Sequence, residues 1–143
     1  MSRNSTRTFD INLQLKDIGT AISADAAAQV AAADKILDIG TGYTEGVVQI
    51  DVTAIDVVTG DELYLIKAQY SNSATFASSV TTYGSFVIGG ATGTGNTTAS
   101  LVGRYELYVC NEIGGVLHRY MRLYTDVAGT TPSITYSGRL YKD

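Results

Sequence analysis

Apolar and polar residues alternate with a period of two along most of this chain. In "FDINLQLKD", Phe9, Ile11, Leu13 and Leu15 share one face, while Asp10, Asn12, Gln14 and Lys16 share the other. This predicts a half-buried strand. Val48, Ile50, Val52 and Ala54 alternate with Gln49, Asp51 and Thr53, which predicts a strand running to about Val58. A turn at Thr59-Gly60-Asp61 and an apolar run from Glu62 to Tyr70 then suggest a hairpin. The stretch from Ser71 to Gly90 holds one or two strands, one ending near Ile88. Three more strands close the chain, with turns at Gly114-Gly115 and at "AGTTPS". In the first, Tyr105, Leu107 and Val109 oppose Glu106, Tyr108 and Cys110. In the second, Leu117, Met121 and Leu123 oppose His118, Tyr120, Arg122 and Tyr124. The third is "ITYSGRLY". About eight short strands with turn signals between them predict an antiparallel β-sandwich or barrel.

Two stretches break the alternation. "MSRNSTRT", residues 1–8, reads as a flexible polar arm ahead of one domain spanning 9–143. "ISADAAAQVAAAD" is Ala-rich, which favours helix, and Ser23 could cap it. A run this short is marginal as a helix. An extended linker over the domain is the alternative, and "KILDIG" then forms a short apolar strand.

Composition agrees with strands: 45% of the 143 residues are hydrophobic, and Tyr is abundant at 10. The net charge of −4 argues against nucleic acid as a partner, because phosphate binding needs a basic face. The charge is uneven, with basic groups gathered at the two ends and nine acids against Lys35 and Lys67 in residues 17–103. One cysteine, Cys110, rules out an intrachain disulfide and reads as an inert thiol. The polar N-terminus is no signal peptide, and no apolar run has the roughly 20 residues of a membrane span, so no membrane partner is expected.

Candidate chemistry is sparse. "KILDIGTGYTEG" resembles the glycine turn that opens an S-adenosylmethionine site. Such a turn must feed a helix, and here a period-two run follows Gly46 at once. Gly40, Gly42 and Gly46 read better as a tight or bulged turn between strands. "GGATGTGNTT" lacks both the third glycine of a dinucleotide fingerprint and a P-loop Lys, and reads as an exposed loop tip. His118 is the only histidine and reads as a structural or interface residue within a strand. Asp51, Asp56 and Asp61 do not match a calcium loop and read as solvated acids. No catalytic residue, cofactor or metal is expected. The dispersed tyrosines suit protein contact, since each packs a ring while its hydroxyl stays wet.

The stretches "DINLQLKD", "ILDIG" and "RYMRLYTDVAGTTPSIT", in this order along nearly the whole chain, resemble the small jelly-roll cement, or decoration, proteins of tailed bacteriophages, the type first described in a Bordetella phage. The last stretch carries that family's pattern of an aromatic-x-Arg-Leu strand, a Gly-Thr turn and a further strand. The chain departs from the family in its basic start, "MSRNSTRT", and its charged end, "SGRLYKD". The resemblance implies an antiparallel β-sandwich of jelly-roll type. It implies a virion protein, made in the bacterial host cytoplasm and attached to the outer surface of the major capsid protein shell. It also implies a homodimer or homotrimer that holds the shell against packaged DNA. Candidate capsid contacts are Arg3 and Arg7, whose arm either orders against shell carboxylates or stays an inert terminus. Candidate interface residues are Tyr120, Arg122 and Tyr124. The alternatives are a host- or glycan-binding sandwich on a virion and, last, a small enzyme using S-adenosylmethionine.

Overall fold

The structure of the protein, a computed structural model, describes residues 11–142, and only the backbone of Ile11. The arm over residues 1–8, with Arg3 and Arg7, lies outside the described residues. A 3-10 turn, Ile11–Leu13, leads into β1 (Gln14–Lys16). Four short strands follow: β2 (Ala26–Ala27), β3 (Gln29–Val30), β4 (Ala33–Asp34) and β5 (Leu37–Asp38). The long strands β6 (Glu45–Ile55), β7 (Leu63–Ser71) and β8 (Thr81–Gly89) come next, then one helical turn, α1 (Ala91–Thr94). After β9 (Gly103–Cys110), β10 (Glu112–Ile113) and β11 (Val116–Leu117) form a small hairpin, and β12 (Tyr120–Ala128) and β13 (Ile134–Lys142) finish the chain.

Two antiparallel sheets hold all of these strands except the two small hairpins β3–β4 and β10–β11. One has the order β1-β13-β6-β9 and the other β2-β12-β7-β8, with β5 continuing the edge beside β12. The chain is thus a long hairpin rolled up on itself. β1 pairs with β13, β2 with β12, β6 with β9 and β7 with β8: first with last, inward to the centre. Rolling adds the pairs β13–β6 and β12–β7, which are the longest ladders.

Alternation places the core, in β6 and β12 largely as the sequence predicts. Val48, Ile50 and Val52 of β6, Tyr64, Ile66, Ala68 and Tyr70 of β7, Met121 and Leu123 of β12, and Tyr136 and Leu140 of β13 are buried between the sheets. Burying one such side chain stabilises the fold by about 1.5–3 kcal/mol. Two of the buried tyrosines, Tyr64 and Tyr136, keep their hydroxyls bonded. The Tyr64 hydroxyl sits 2.8 Å from the Asp56 carbonyl oxygen and accepts the Ser133 N–H at 2.8 Å. The Tyr136 hydroxyl pairs with the Thr125 hydroxyl at 2.8 Å.

Several expectations need correction. Strand β1 begins only at Gln14, and Lys16, assigned to the polar face, is buried. Its ammonium donates to the carbonyls of Asp17 (2.9 Å), Ile18 (3.2 Å) and Tyr136 (2.9 Å) and lies 4.7 Å from the Tyr136 ring centroid. Of the two readings of the Ala-rich stretch, helix or extended linker, the extended one holds: β2 lies along β12, and β3 and β4 form a hairpin. Ala31 (φ 52°) and Ala32 (φ 61°) turn that hairpin in the left-handed region. Strand pairing along β12 outweighs alanine's weak helix preference. β6 ends at Ile55, short of Val58.

The hairpin expected across Thr59-Gly60-Asp61 does not form, because β6 and β7 lie in different sheets. The turn instead carries the chain over the end of the sandwich. Glu62, fully buried, accepts the N–H groups of Thr59 and Gly60, both at 2.9 Å, and the Thr59 hydroxyl. A carboxylate that caps the backbone of its own turn holds the crossing without a ladder. The glycine loop after β8 is likewise more than an exposed tip. Gly90 and Gly93 lie against this crossing, where a Cβ would strike the carbonyls of Gly60 and Glu62. The Gly93 N–H donates to the Gly60 carbonyl at 2.9 Å.

Candidate interaction faces

The outer face of the β12–β7 ladder carries all three candidate interface residues. The register sets Tyr120 opposite Ser71, Arg122 opposite Gln69, Tyr124 opposite Lys67 and Asp126 opposite Leu65. Side chains of the opposite phase fill the core, so the strand that buries Met121 and Leu123 must present these outward. They form a ladder of rings and cations. Arg122 Nε donates to Gln69 Oε1 at 2.9 Å. Its guanidinium carbon lies 4.4 Å from the Phe76 ring centroid and 5.3 Å from that of Tyr124. Lys67 sits 5.2 Å from the Tyr124 ring centroid and pairs with Asp126 at 2.7 Å. Arg119 lies 5.4 Å from the Tyr120 centroid and forks onto Asp38, Nε to Oδ1 at 3.0 Å and Nη2 to Oδ2 at 2.9 Å. That fork holds the Asp38 carboxyl below its ordinary range, with help from the Gly40 N–H. Each cation–ring contact at such an exposed site is worth about 0.5–1 kcal/mol.

Phe76 enters this face from the loop between β7 and β8. It is buried, although its φ of 57° is in the left-handed region, where a bulky residue is an outlier. The serines of "SNSATFASS" hold the loop. The Ser71 hydroxyl donates to the Ser78 carbonyl at 2.7 Å and accepts the Ser73 N–H at 3.0 Å, and the Ser73 hydroxyl accepts the Ala77 N–H at 3.2 Å. Asn72 ties the loop to the start of β12, accepting the Arg119 N–H at 3.0 Å and donating to the Leu117 carbonyl at 3.0 Å. Sequence reasoning missed Phe76, Gln69, Lys67, Arg119 and Asp38 as members of this face. Lys67 and Gln69 were findable from the polar phase of β7. Phe76 was not, because no period governs a loop.

A second cluster lies on the outer face of the other sheet. Tyr43 and Tyr108, 54% and 50% exposed, both donate phenol hydrogens to Glu45 Oε2, Tyr43 at 2.9 Å. Those two bonds, the Tyr108 one foremost, hold the Glu45 carboxyl below its ordinary range, and the carboxylate pushes the Tyr108 hydroxyl up to about 12.

The remaining candidates serve the fold. His118 lies buried between β11 and β12 and not within a strand, its Nδ1 3.2 Å from the Asn111 carbonyl oxygen. Asn111 knits that end of the sandwich, donating to the carbonyls of Gly42 (2.8 Å) and His118 (2.9 Å) and accepting the Thr44 N–H (2.8 Å). Cys110 is buried, with Sγ 3.4 Å from the Glu112 carbonyl oxygen. The three acids are not simply solvated. Asp51 pairs with Arg104 at 2.7 Å, Asp56 accepts the Val58 N–H at 3.0 Å, and Asp61 accepts the Thr130 hydroxyl at 2.7 Å. After Gly46 the backbone continues as strand β6, so the helix that would finish a nucleotide-type glycine site is not formed there. Among the described residues, no group of three His, Cys, Asp or Glu side chains is placed to hold a metal. No helix of the described residues is long and apolar enough to cross a membrane. In comparisons with protein families, curated proteins and solved structures, no match to the chain was found.

Proposed function

We propose that this chain is a non-enzymatic structural protein of a tailed-phage virion. In this reading it is a jelly-roll cement protein that binds the outer surface of the major capsid protein shell, as a homodimer or homotrimer, and stiffens it against internal DNA pressure. The observation that carries the reading is the pairing order, first strand with last and inward to the centre, rolled into one four-stranded and one five-stranded layer. That is the order expected when a long hairpin wraps into two Greek keys. It supports the jelly-roll type that the sequence resemblance implies. The mechanical demands also fit. Most of the long ladders join strands far apart in sequence, so a load applied at one face is shared across the sandwich. Both outer faces carry tyrosine and arginine in bonded arrays, a composition suited to contact with protein.

The test is direct. Particles assembled with this protein should retain it through sedimentation and should resist heat and chelators better than particles made without it. Equal robustness of the two preparations rejects the stabilising role. A second reading, a glycan-binding sandwich on a virion, is favoured by Tyr43 and Tyr108 around Glu45, since exposed rings beside a carboxylate suit a sugar. Saturable binding on a saccharide array, lost in Y108A, would establish it in place of the first.

A further inference from the structure

Arg122 differs from the other cations of its face. Lys67 is neutralised by Asp126 and Arg119 by Asp38. Among the described residues, no carboxylate lies within ion-pair distance of Arg122, although the chain carries a net charge of −4 and has acids to spare. Its one hydrogen bond among the described residues leaves from Nε, to a neutral amide oxygen. A guanidinium has five N–H donors in one plane, and the four on the Nη nitrogens therefore have no such partner here. Two rings lie against the guanidinium, Phe76 at 4.4 Å and Tyr124 at 5.3 Å. What remains for a ligand is the edge that carries the Nη donors.

We propose that this edge of Arg122, held between Phe76 and Tyr124, is a receptor for a single carboxylate on a partner protein. The inference rests on reading the chain as an attachment protein and names the chemistry of that attachment. Three features favour it. First, the guanidinium is already ordered by two rings and by Gln69, so a ligand meets a fork whose freedom has been lost beforehand. Secondly, the charge fits. One uncompensated cation beside two neutralised ones suits a monoanion, whereas a phosphate dianion would want several. Thirdly, Phe76 is held in the left-handed region by its loop, and such outliers gather where the structure positions a binding group. The rings of Phe76 and Tyr124 flank the fork, so the carboxylate it takes is one with apolar neighbours. An acidic side chain between two aliphatic ones meets that description.

The probe is the peptide acetyl-Leu-Glu-Leu-amide, titrated into the full-length protein while backbone and arginine Nε–H resonances are followed by NMR. The control is acetyl-Leu-Gln-Leu-amide, which has the same shape without the charge. The Glu peptide should shift the Arg122 Nε–H and the Tyr124 and Phe76 amides to saturation, with affinity falling several-fold from low to physiological salt. The Gln peptide should not. R122Q should weaken binding about tenfold or more, as expected for losing a charge-assisted bond. R122K, which keeps the charge and loses the planar fork, should weaken it too. An unchanged backbone spectrum before titration shows that a variant still folds. Three results would overturn the proposal: no saturable shift in the wild type, equal response to both peptides, or tighter saturation of the same nitrogens by inorganic phosphate. This outcome is separable from that of the function. Peptide binding without particle binding keeps the receptor and rejects the shell, whereas R122Q stabilising particles as well as the wild type does the reverse.

Discussion

At the scale of single residues, the fold depends on polar groups that are buried and fully bonded. Tyr136 shows the logic. Its ring fills the core, and its hydroxyl, which burial pushes up to about 12, satisfies Thr125. In Y136F the packing survives while the Thr125 hydroxyl is left alone, so the cost should be about 1–2 kcal/mol in chemical denaturation. An unchanged midpoint would mean that Thr125 finds another partner. Gly138 supplies the complementary case on the same strand. A Cβ there would come 2.7 Å from Leu123 Cδ1, so G138A should overpack the inter-sheet layer and cost about 1–3 kcal/mol. The sequence revealed which residues of β6 and β12 face inward, because the pleat fixes that by parity. It misplaced Lys16, whose parity put it outside. Three carbonyls converging on one ammonium come from Asp17, Ile18 and Tyr136, the last from the far end of the chain.

At the scale of elements, turns and crossings decide what local preference leaves open. Ala31 and Ala32 both hold positive φ, which costs alanine roughly 1–2 kcal/mol each. Replacing the pair by Asn-Gly, which suits a type I′ turn, should therefore stabilise the protein by about 1 kcal/mol or more in thermal or chemical unfolding. A loss of stability would show that the alanine methyl groups are packed. The crossing over the sandwich end makes the opposite prediction for acid. Burial opposes ionisation of Glu62, but bonds from the Thr59 hydroxyl and the turn N–H groups outweigh it and hold its carboxyl below the ordinary range. A depressed folded value means that its stabilisation is present above the unfolded value, near about 4.3, and is lost as the pH falls through the folded one. E62Q should lower the melting temperature at neutral pH and flatten its decline in acid. A variant with the wild-type acid profile would assign that decline to other carboxylates, such as Glu45, Asp38 and Asp61. Ala-rich composition suggested a helix as readily as a linker because neither neighbour of the hairpin, β1 or β12, is visible from within it.

At the scale of the whole molecule, the tyrosines set the alkaline limit. Tyr64 and Tyr70 have raised pKa values chiefly from burial, as Tyr136 does, and Tyr43 and Tyr108 chiefly from the bond to Glu45. Folded values above the unfolded one, about 10, mean that the unfolded chain sheds its protons first. Stability is then complete below that pH and falls as the pH rises toward the folded values. Lys16, lowered by burial, contributes in the opposite direction, but it is one group against several. Melting temperature should therefore drop steeply above about pH 10, with tyrosinate absorbance rising in step with unfolding. Tyrosinate forming in the intact fold at ordinary pH would contradict the assignment of these hydroxyls to buried or bonded sites.

The sequence by itself determined that this chain would be built of strands, where most of them would lie and, for β6 and β12, most of the side chains that would fill the core. Period-two alternation is a local code for one buried face, and it can be read without knowing any partner. It also placed Tyr120, Arg122 and Tyr124 together on the outer side of one strand. Only the tertiary structure decided which strands pair and what surrounds that trio. Pairing β6 with β13 and β7 with β12, and not β6 with β7, follows from burying two faces against each other at once. That is a property of the whole chain and of no window within it. The same holds for Arg122, whose ring partner Phe76 arrives from a loop and whose lack of a carboxylate partner among the described residues cannot be read from its own strand.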